Sequence, residues 1–148
     1  MTNLSPATIR RPASGPGRGR SAPAHPFRIA IIGCGPRGLY CLERLTRRLQ
    51  QLQERQQVSV TIYEPAEFPG AGVVYHPGQP DYLRMNFAAR YIDAWLPAPD
   101  RRDEDRCLLD WMRHRNLTNA DMESYVPRAT VGAYLHDCFC RVRTRLSR

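Results

Sequence analysis

The sequence contains no lysine: all 22 of its basic residues are arginine, and the formal net charge at pH 7 is +8. A face that binds a polyanion normally mixes both basic residue types, whereas exclusive arginine is more typical of a GC-rich coding bias. The positive charge therefore gives little support to nucleic-acid binding, and we expect no nucleic-acid partner. The length of 148 residues suits one domain with a real core and not two.

Long apolar runs are also missing. The longest uninterrupted apolar stretch is only a few residues, far short of the roughly 20 that span a bilayer. The N-terminal region contains no hydrophobic segment of the signal-peptide type. We therefore expect a protein that does not cross a membrane.

Cysteines occur in an odd number, five, and no C-x-x-C pair is present. This pattern excludes a disulfide framework and the usual zinc spacings, and the four histidines show no ligand spacing either. We expect no metal site, and the unpaired thiols favour a cytoplasmic location. No arrangement of serine, histidine and aspartate indicates a nucleophilic catalyst, so the catalytic residues are unknown.

Residues 1–26 differ in composition from the rest of the chain. They hold five prolines, three glycines and four arginines, and no acidic residue. Such a segment cannot bury enough apolar surface to offset the entropy of ordering, so it is predicted to be a disordered tail. An Arg/Gly arm for nucleic acid and an organellar transit peptide are the alternatives, although the amphipathic period of a transit peptide is missing.

Residues 27–148 are predicted to form one α/β domain. Phe27–Ile32 is apolar on both faces, which is typical of a parallel strand that is covered on both sides. A helix is predicted from Pro36, because leucines recur at three- and four-residue steps, and Val58–Tyr63 predicts a second strand. Weaker patterns predict short strands at 82–85 and 91–95 and helices over 103–114 and 129–146.

The first strand runs directly into a glycine motif, G-C-G-P-R-G, at residues 33–38. In a dinucleotide-binding βαβ unit, Gly33 would permit the tight turn, and Gly35 would let a pyrophosphate approach the backbone. Gly38 would allow close packing of helix and strand. Pro36 and Arg37 lie within the same motif. Proline is well placed there because the first turn of a helix does not need the N–H that proline lacks. The motif therefore predicts a phosphate-binding site at the start of the helix.

Glu64 follows the second strand, 26 residues after Gly38, slightly beyond the usual separation of about 20. A carboxylate at this strand end would accept hydrogen bonds from a ribose diol and repel a 2′-phosphate. The sequence therefore predicts a Rossmann-like site that takes FAD or NAD and discriminates against NADP.

Three stretches resemble the N-terminal FAD-binding segment of bacterial FAD/NAD(P)-binding proteins, relatives of the class B-type and N-hydroxylating flavin monooxygenases. They are I-A-I-I-G-C-G-P-R-G-L-Y-C-L-E-R-L at 29–45, P-G-A-G-V-V-Y-H-P-G-Q-P-D-Y-L-R-M-N at 69–86 and V-P-R-A-T-V-G-A-Y-L at 126–135. The resemblance implies FAD on the glycine turn, with Glu64 on its ribose. It also implies that Gly72 and Asn86 approach the middle or flavin end of the cofactor, with Arg128 near phosphate or flavin.

The sequence predicts two parallel strands and a later helix, whereas a doubly wound sheet needs a third parallel strand after a returning helix. We therefore expect the Rossmann-like unit to be truncated and to need further chain or a partner to complete its sheet. NADPH would act as reductant only in a complete protein. Three functional hypotheses remain open. The chain is the FAD-binding module of a flavin-dependent oxidoreductase or monooxygenase, a non-enzymatic NAD- or FAD-binding protein, or an inactive fragment of a larger flavoprotein. Its small-molecule substrate is unknown.

Overall fold

In the computed structural model of the chain, the described residues are 7–10, 27–51, 58–97, 99, 101–117 and 121–147, with only the backbone described for 7–10.

The sheet is built on two parallel strands joined by a helix. β2 (Phe27–Ile32) and β3 (Val58–Tyr63) pair in parallel over their whole length, with Ile29 beside Val60. The connection runs through α1 (Pro36–Gln51). This arrangement confirms the predicted Rossmann-like α/β unit, including both strand boundaries. Residues 52–57, between α1 and β3, lie outside the described residues.

A third strand, β1 (Ala7–Arg10), pairs antiparallel with β3 and gives the strand order β1-β3-β2. For these four residues the predicted disorder is wrong. Thr8 and Ile9 are β-branched residues that favour extended backbone, and the outer edge of β3 offers N–H and C=O groups to pair with. Residues 1–6 and 11–26 of the predicted tail lie outside the described residues.

Two further helices complete the core. α2 (Leu108–His114) is short, whereas α3 (Arg128–Leu146) is long and packs against α1. The helix predicted over 129–146 is present, and one side of it is buried through Val131, Leu135, Cys138, Phe139, Val142 and Leu146. Leu39, Leu42 and Leu49 of α1 are buried, and the helices pack with β3 into one continuous core.

Three local predictions are wrong. α2 begins at Leu108 rather than near residue 103, because the preceding residues turn so that buried Asp105 can accept hydrogen bonds from Arg145 of α3. The stretch 82–85 forms one isolated bridge, between Arg84 and Pro127, instead of a strand. Residues 89–91 form a 3-10 helix, and the rest of 91–95 is irregular.

β2 also differs from its prediction as a strand covered on both sides. Ile29 and Ile31 pack against the core, but Ile32 is 77% exposed and Phe27 is 58% exposed. Among the described residues, only β3 pairs with β2, so the other edge of β2 is open. The glycine turn therefore follows a strand that lies at the side of the described sheet.

Candidate functional site

The glycine turn connects β2 to α1 by the predicted geometry. Gly33 has a φ of +81°, a conformation that favours glycine, and its N–H donates to the carbonyl oxygen of Tyr63 at 2.8 Å. A Cβ atom at Gly38 would collide with the carbonyl oxygen of Gly33. The first and third glycines therefore have the backbone roles that the sequence predicts for them.

The start of α1 provides an electropositive backbone surface. Pro36 is its first residue, and its first turn contains no acidic side chain. The first N–H groups of an α-helix have no partner within the helix, and the helix dipole makes this end positive. The Arg37 side chain is exposed at the same end. Together these groups favour an anion such as a pyrophosphate.

Glu64 lies at the end of β3, and its carboxylate reaches back to the glycine turn. One oxygen, Oε2, accepts a hydrogen bond from the backbone N–H of Cys34, and the other, Oε1, accepts one from the N–H of Ala66 at 2.9 Å. A carboxylate has about four lone-pair positions, so acceptor capacity remains for a ligand. The acidic group is thus held beside the turn rather than in open solvent.

A loop that includes Gly70 and Gly72 packs on the glycine turn. The N–H of Gly70 donates to the carbonyl oxygen of Cys34 at 2.5 Å, and Gly70 and Gly72 both have positive φ, +94° and +63°. A Cβ atom on Gly72 would lie only 3.1 Å from the Cα of Gly35. The two glycine-containing segments are therefore in near contact along their backbones.

α3 supports this loop from the other side. A Cβ atom on Gly132 would collide with the carbonyl oxygen of Tyr75, so the helix and the loop touch at a glycine. The ring Nδ1 of His136 lies 2.9 Å from the carbonyl oxygen of Pro69, and the His136 ring packs edge-to-face with Phe68. The position of the loop is consequently determined by α3 as well as by the turn.

The turn, Glu64 and the loop enclose an open cleft of about 610 Å³. It brings together seven predicted site residues, Gly33, Gly35, Pro36, Arg37, Gly38, Glu64 and Gly72. Four lining residues are additions to the predicted set: Ala71, Val73, Val74 and Tyr75. For Val73 and Val74 the sequence signal is their position directly after P-G-A-G, and the structure shows both as exposed apolar side chains.

Asn86 and Arg128 lie outside this cleft. Asn86 is exposed in the loop after buried Met85. Arg128 begins α3, its backbone N–H donates to Leu83 at 2.8 Å, and its Nε donates to the carbonyl oxygen of Arg84 at 3.3 Å. The structure therefore does not group these two residues with the glycine turn.

Within the ranges described above, no three or more histidine, cysteine, aspartate or glutamate side chains are grouped so that they could hold a metal ion. None of the described helices combines the length and the apolar character that a membrane crossing requires.

Comparisons with known proteins give a consistent result. A family model described as FAD-NAD(P)-binding matches residues 30–148. The chain is 31% identical to an L-aspartate N-monooxygenase (nitrosuccinate-forming) of Streptomyces cremeus, with 77% of this chain and 20% of that protein covered. It is 31% identical to the nitrosuccinic acid synthase NpaA of Aspergillus oryzae, covering 77% and 18%. It is 27% identical to the uncharacterized protein YdhS of Escherichia coli, covering 78% and 21%. The chain thus spans about a fifth of the length of these relatives.

Proposed function

The chain belongs to the FAD-NAD(P)-binding family, and from that premise we propose that its cleft binds FAD, with the ADP part of the cofactor on the glycine turn. The observation that carries this proposal is the Glu64 carboxylate, which hydrogen bonds to the turn and retains free acceptor positions at the same place. The residues fit the group, because backbone, positive helix end and carboxylate lie in one cleft.

The pyrophosphate would contact the backbone of the turn. Gly35 presents no side chain there, and a Cβ atom at that position would meet only the Cα of Gly72, at 3.7 Å. The N–H groups at the start of α1 would donate to phosphate oxygens, and Arg37 would add a positive charge. Pro36 contributes a preset helical φ without losing a helix hydrogen bond.

Glu64 would select the nucleotide. Its carboxylate would accept hydrogen bonds from the adenosine ribose diol, and it would repel the 2′-phosphate of NADP. We propose FAD rather than NAD because the stretches at 29–45, 69–86 and 126–135 resemble an FAD-binding segment. NAD is the alternative ligand.

When bound, the flavin would supply the oxidation–reduction chemistry. The residues of this chain would bind and orient it: the turn and Glu64 at the ADP part, and Gly72 with its neighbouring valines along the open side of the cleft. Asn86 and Arg128 would contact only a part of the cofactor that extends beyond the cleft.

We further propose that the chain is the FAD-binding module of a flavin-dependent oxidoreductase of the monooxygenase type. Two of the relatives are named for N-oxygenation of L-aspartate or for the synthesis of nitrosuccinic acid, which supports this class. Delivery of hydride from NADPH would require parts that correspond to the other four-fifths of those proteins. If the purified chain holds FAD and NADPH does not bleach the flavin, that result would favour a binding module over a self-sufficient enzyme.

The test of the FAD site is Glu64→Ala, measured by titration of FAD against the purified protein. We expect the dissociation constant to rise by about tenfold or more, the value of a charge-assisted hydrogen bond. The matched control is Glu67→Ala, because Glu67 lies on the same segment with its side chain 76% exposed and makes a long ion pair, 4.0 Å, with His76. Thermal melts of both variants show whether each remains folded.

Two results would contradict the proposal. One is that the wild-type chain binds neither FAD nor NAD. The other is that folded Glu64→Ala binds FAD as tightly as wild type, which would exclude the ribose role. A gain of NADP binding in Glu64→Ala would support the selection against the 2′-phosphate.

A further inference from the structure

A second cavity lies beside the second half of α1, away from the glycine turn. Its volume is about 210 Å³, and it is lined by Glu43 and Thr46 of α1, by Arg102 of the loop before α2 and by Arg145 of α3. Thr46 lies about 15 Å along the helix axis from Pro36, where the glycine turn ends. The described residues that line this cavity and those that line the cofactor cleft do not overlap. The two are therefore separate features of the molecule.

Most of the side chains that line the cavity are charged, and some of them are buried. Asp105 is 3% exposed, and both of its carboxylate oxygens accept hydrogen bonds from Arg145. Burial of an ion costs free energy unless pairing and hydrogen bonds offset that cost. The two-point contact of a guanidinium with a carboxylate is one of the strong pairings. Asp105 therefore has its partners within the chain.

Glu43 differs from Asp105, because its hydrogen bonding is incomplete. It is 5% exposed, and among the described residues its Oε2 atom has no hydrogen-bond partner. Arg47 and Arg44 approach the carboxylate at 3.5 Å and 3.8 Å, which are distances of ion pairs rather than of well-formed hydrogen bonds. Burial raises the pKa of Glu43 as a consequence. The chain thus leaves one acceptor atom of a cavity-lining carboxylate without a donor.

The cavity also carries a positive group that is only weakly paired. Arg102 makes an ion pair of 3.7 Å with Glu104, and the two side chains are 48% and 53% exposed. Long, exposed ion pairs of this kind contribute little to stability. The planar guanidinium of Arg102 has five N–H donors in a geometry that matches a carboxylate. It can therefore bind a ligand carboxylate without the loss of a strong contact in the chain.

The charges of the lining select the class of ligand. A purely anionic ligand would meet the buried carboxylate of Glu43, and a purely cationic ligand would meet three arginine side chains. A molecule that carries both an ammonium and a carboxylate group complements both charges. The volume is also sufficient, since a cavity of about 150 Å³ accommodates benzene. A compound of several non-hydrogen atoms therefore fits.

We propose that this cavity binds a small zwitterion of the amino-acid class, with its ammonium group at the Glu43 carboxylate and its carboxylate at Arg102. The ammonium group would supply the hydrogen bond that Oε2 lacks within the chain. Trp95 and Val142, which line the same cavity, would contact the aliphatic part of the ligand. The inference does not rest on the proposed function, because it uses no residue of the cofactor cleft.

The test titrates four probes into the full chain near neutral pH. Glycine and 4-aminobutyrate carry both charges at different spacings, whereas acetate and methylammonium carry one charge each. The readout is the NMR signal of the tryptophan indole N–H groups. Trp95 lines the cavity, and Trp111, which is not among the described residues that line it, is the internal reference. We expect one zwitterion to shift the Trp95 signal to saturation. It should bind about tenfold more tightly than either singly charged probe, the value of a charge-assisted hydrogen bond.

Substitutions at the two charged groups test the orientation of the ligand. Glu43→Gln keeps the shape of the side chain and removes its charge, so the affinity for the zwitterion should fall by about tenfold. The variant should be no less stable than wild type, because it removes a buried charge, and a purely structural role of Glu43 would not lower the affinity. Arg102→Gln should weaken the zwitterion to a similar extent. The matched controls, Glu67→Gln and Arg48→Gln, make the same changes at exposed residues outside the cavity and should bind as wild type.

Three results would overturn the proposal. The first is that neither zwitterion shifts the Trp95 signal. The second is that acetate or methylammonium binds as tightly as the better zwitterion. The third is that folded Glu43→Gln or Arg102→Gln binds the zwitterion as wild type does. If the chain binds the zwitterion but neither FAD nor NAD, the proposed function fails and this site stands.

Discussion

The N–H of Gly70 donates a hydrogen bond of 2.5 Å to the carbonyl oxygen of Cys34. This bond joins the loop after β3 to the glycine turn after β2, so two segments that are distant in sequence form one surface. The two segments approach each other through backbone atoms, so little space is left for a side chain at some of the glycines. The effect of each glycine substitution therefore depends on which atoms the new Cβ would contact. The glycines of the site can therefore be separated by experiment into structural and ligand-facing positions.

Gly38→Ala should lower the stability of the fold, whereas Gly35→Ala should lower the affinity for FAD. An added methyl at Gly38 would collide with the carbonyl oxygen of Gly33, so we expect a loss of stability of about 1–3 kcal/mol, as for overpacking. A methyl at Gly35 meets only ordinary contacts in the chain, so stability should change little. FAD affinity of the folded Gly35→Ala variant should fall, since the methyl would occupy the place that we propose for the pyrophosphate.

Denaturant unfolding and FAD titration of both variants check this pair, each variant serving as the control for the other. Equal destabilisation of the two variants would contradict the assignment of Gly35 as the ligand-facing glycine. Unchanged FAD binding in Gly35→Ala would place the pyrophosphate elsewhere.

The sequence was sufficient to predict β2, α1, β3 and the position of the glycine turn. These features depend on local patterns: apolar runs of strand length, leucines at helical spacing, and glycines where a positive φ or a close approach is required. Glu64 could be assigned to the site because a strand end fixes the position of the next residue. In each case the information lies within one element and its turn.

The remaining features depend on contacts between distant residues. β1 forms on an edge that exists only once β3 is in place, about 50 residues later in the chain. The start of α2 is set by the bond between Asp105 and Arg145 of α3. The docking of the loop on α3 at Gly132 has no local signal either, because a glycine in a helical pattern does not identify the backbone that approaches it.

The contact between α3 and the loop can be tested by the sign of the stability change in Gly132→Ala. Helix propensity alone would make the alanine variant more stable by about 1 kcal/mol. The structure predicts the reverse, because the new Cβ would collide with the carbonyl oxygen of Tyr75. We expect a lower unfolding free energy and weaker FAD binding, since Tyr75 lines the cleft.

The matched control is Ala133→Gly, which changes propensity on the same helix at the neighbouring position. It should cost about 1 kcal/mol by propensity, together with any packing lost by this partly buried side chain. A Gly132→Ala variant that is more stable than wild type would show that α3 and the loop do not touch there.

Thiol reactivity should follow burial. Burial raises the pKa of the Cys34 thiol to about 12, with Glu64 adding to the effect, so the position of Cys34 ahead of α1 does not make it a reactive thiolate. Burial also raises the pKa of Cys138 to about 12. Cys41 is exposed. Titration with a disulfide reagent near neutral pH should modify Cys41 first.

Mass spectrometry of the modified protein identifies the thiols, and Cys41→Ser should remove the fast phase. Cys34 and Cys138 should react only after unfolding by denaturant. Fast modification of Cys34 in the folded chain would contradict its burial within the glycine turn.

Glu43 and Glu104 should change the stability of the fold with pH in opposite directions. Burial raises the pKa of Glu43 above its ordinary value of 4.5, and among the described residues its Oε2 atom has no hydrogen-bond partner. A hydrogen bond from Arg145 lowers the pKa of Glu104. The folded state therefore holds the proton of Glu43 more tightly than the unfolded state, and that of Glu104 less tightly.

The signs follow from proton linkage. For Glu43, stability decreases as pH rises from 4.5 through the raised folded pKa, so Glu43→Gln should be more stable than wild type at neutral pH. For Glu104, the contribution is present above the unfolded pKa and is lost as pH falls through the lowered folded pKa. Glu104→Gln should therefore be less stable at neutral pH, and this difference should disappear in acid. Unfolding midpoints of both variants across acid to neutral pH check the two slopes, and slopes of the same sign would contradict the structure.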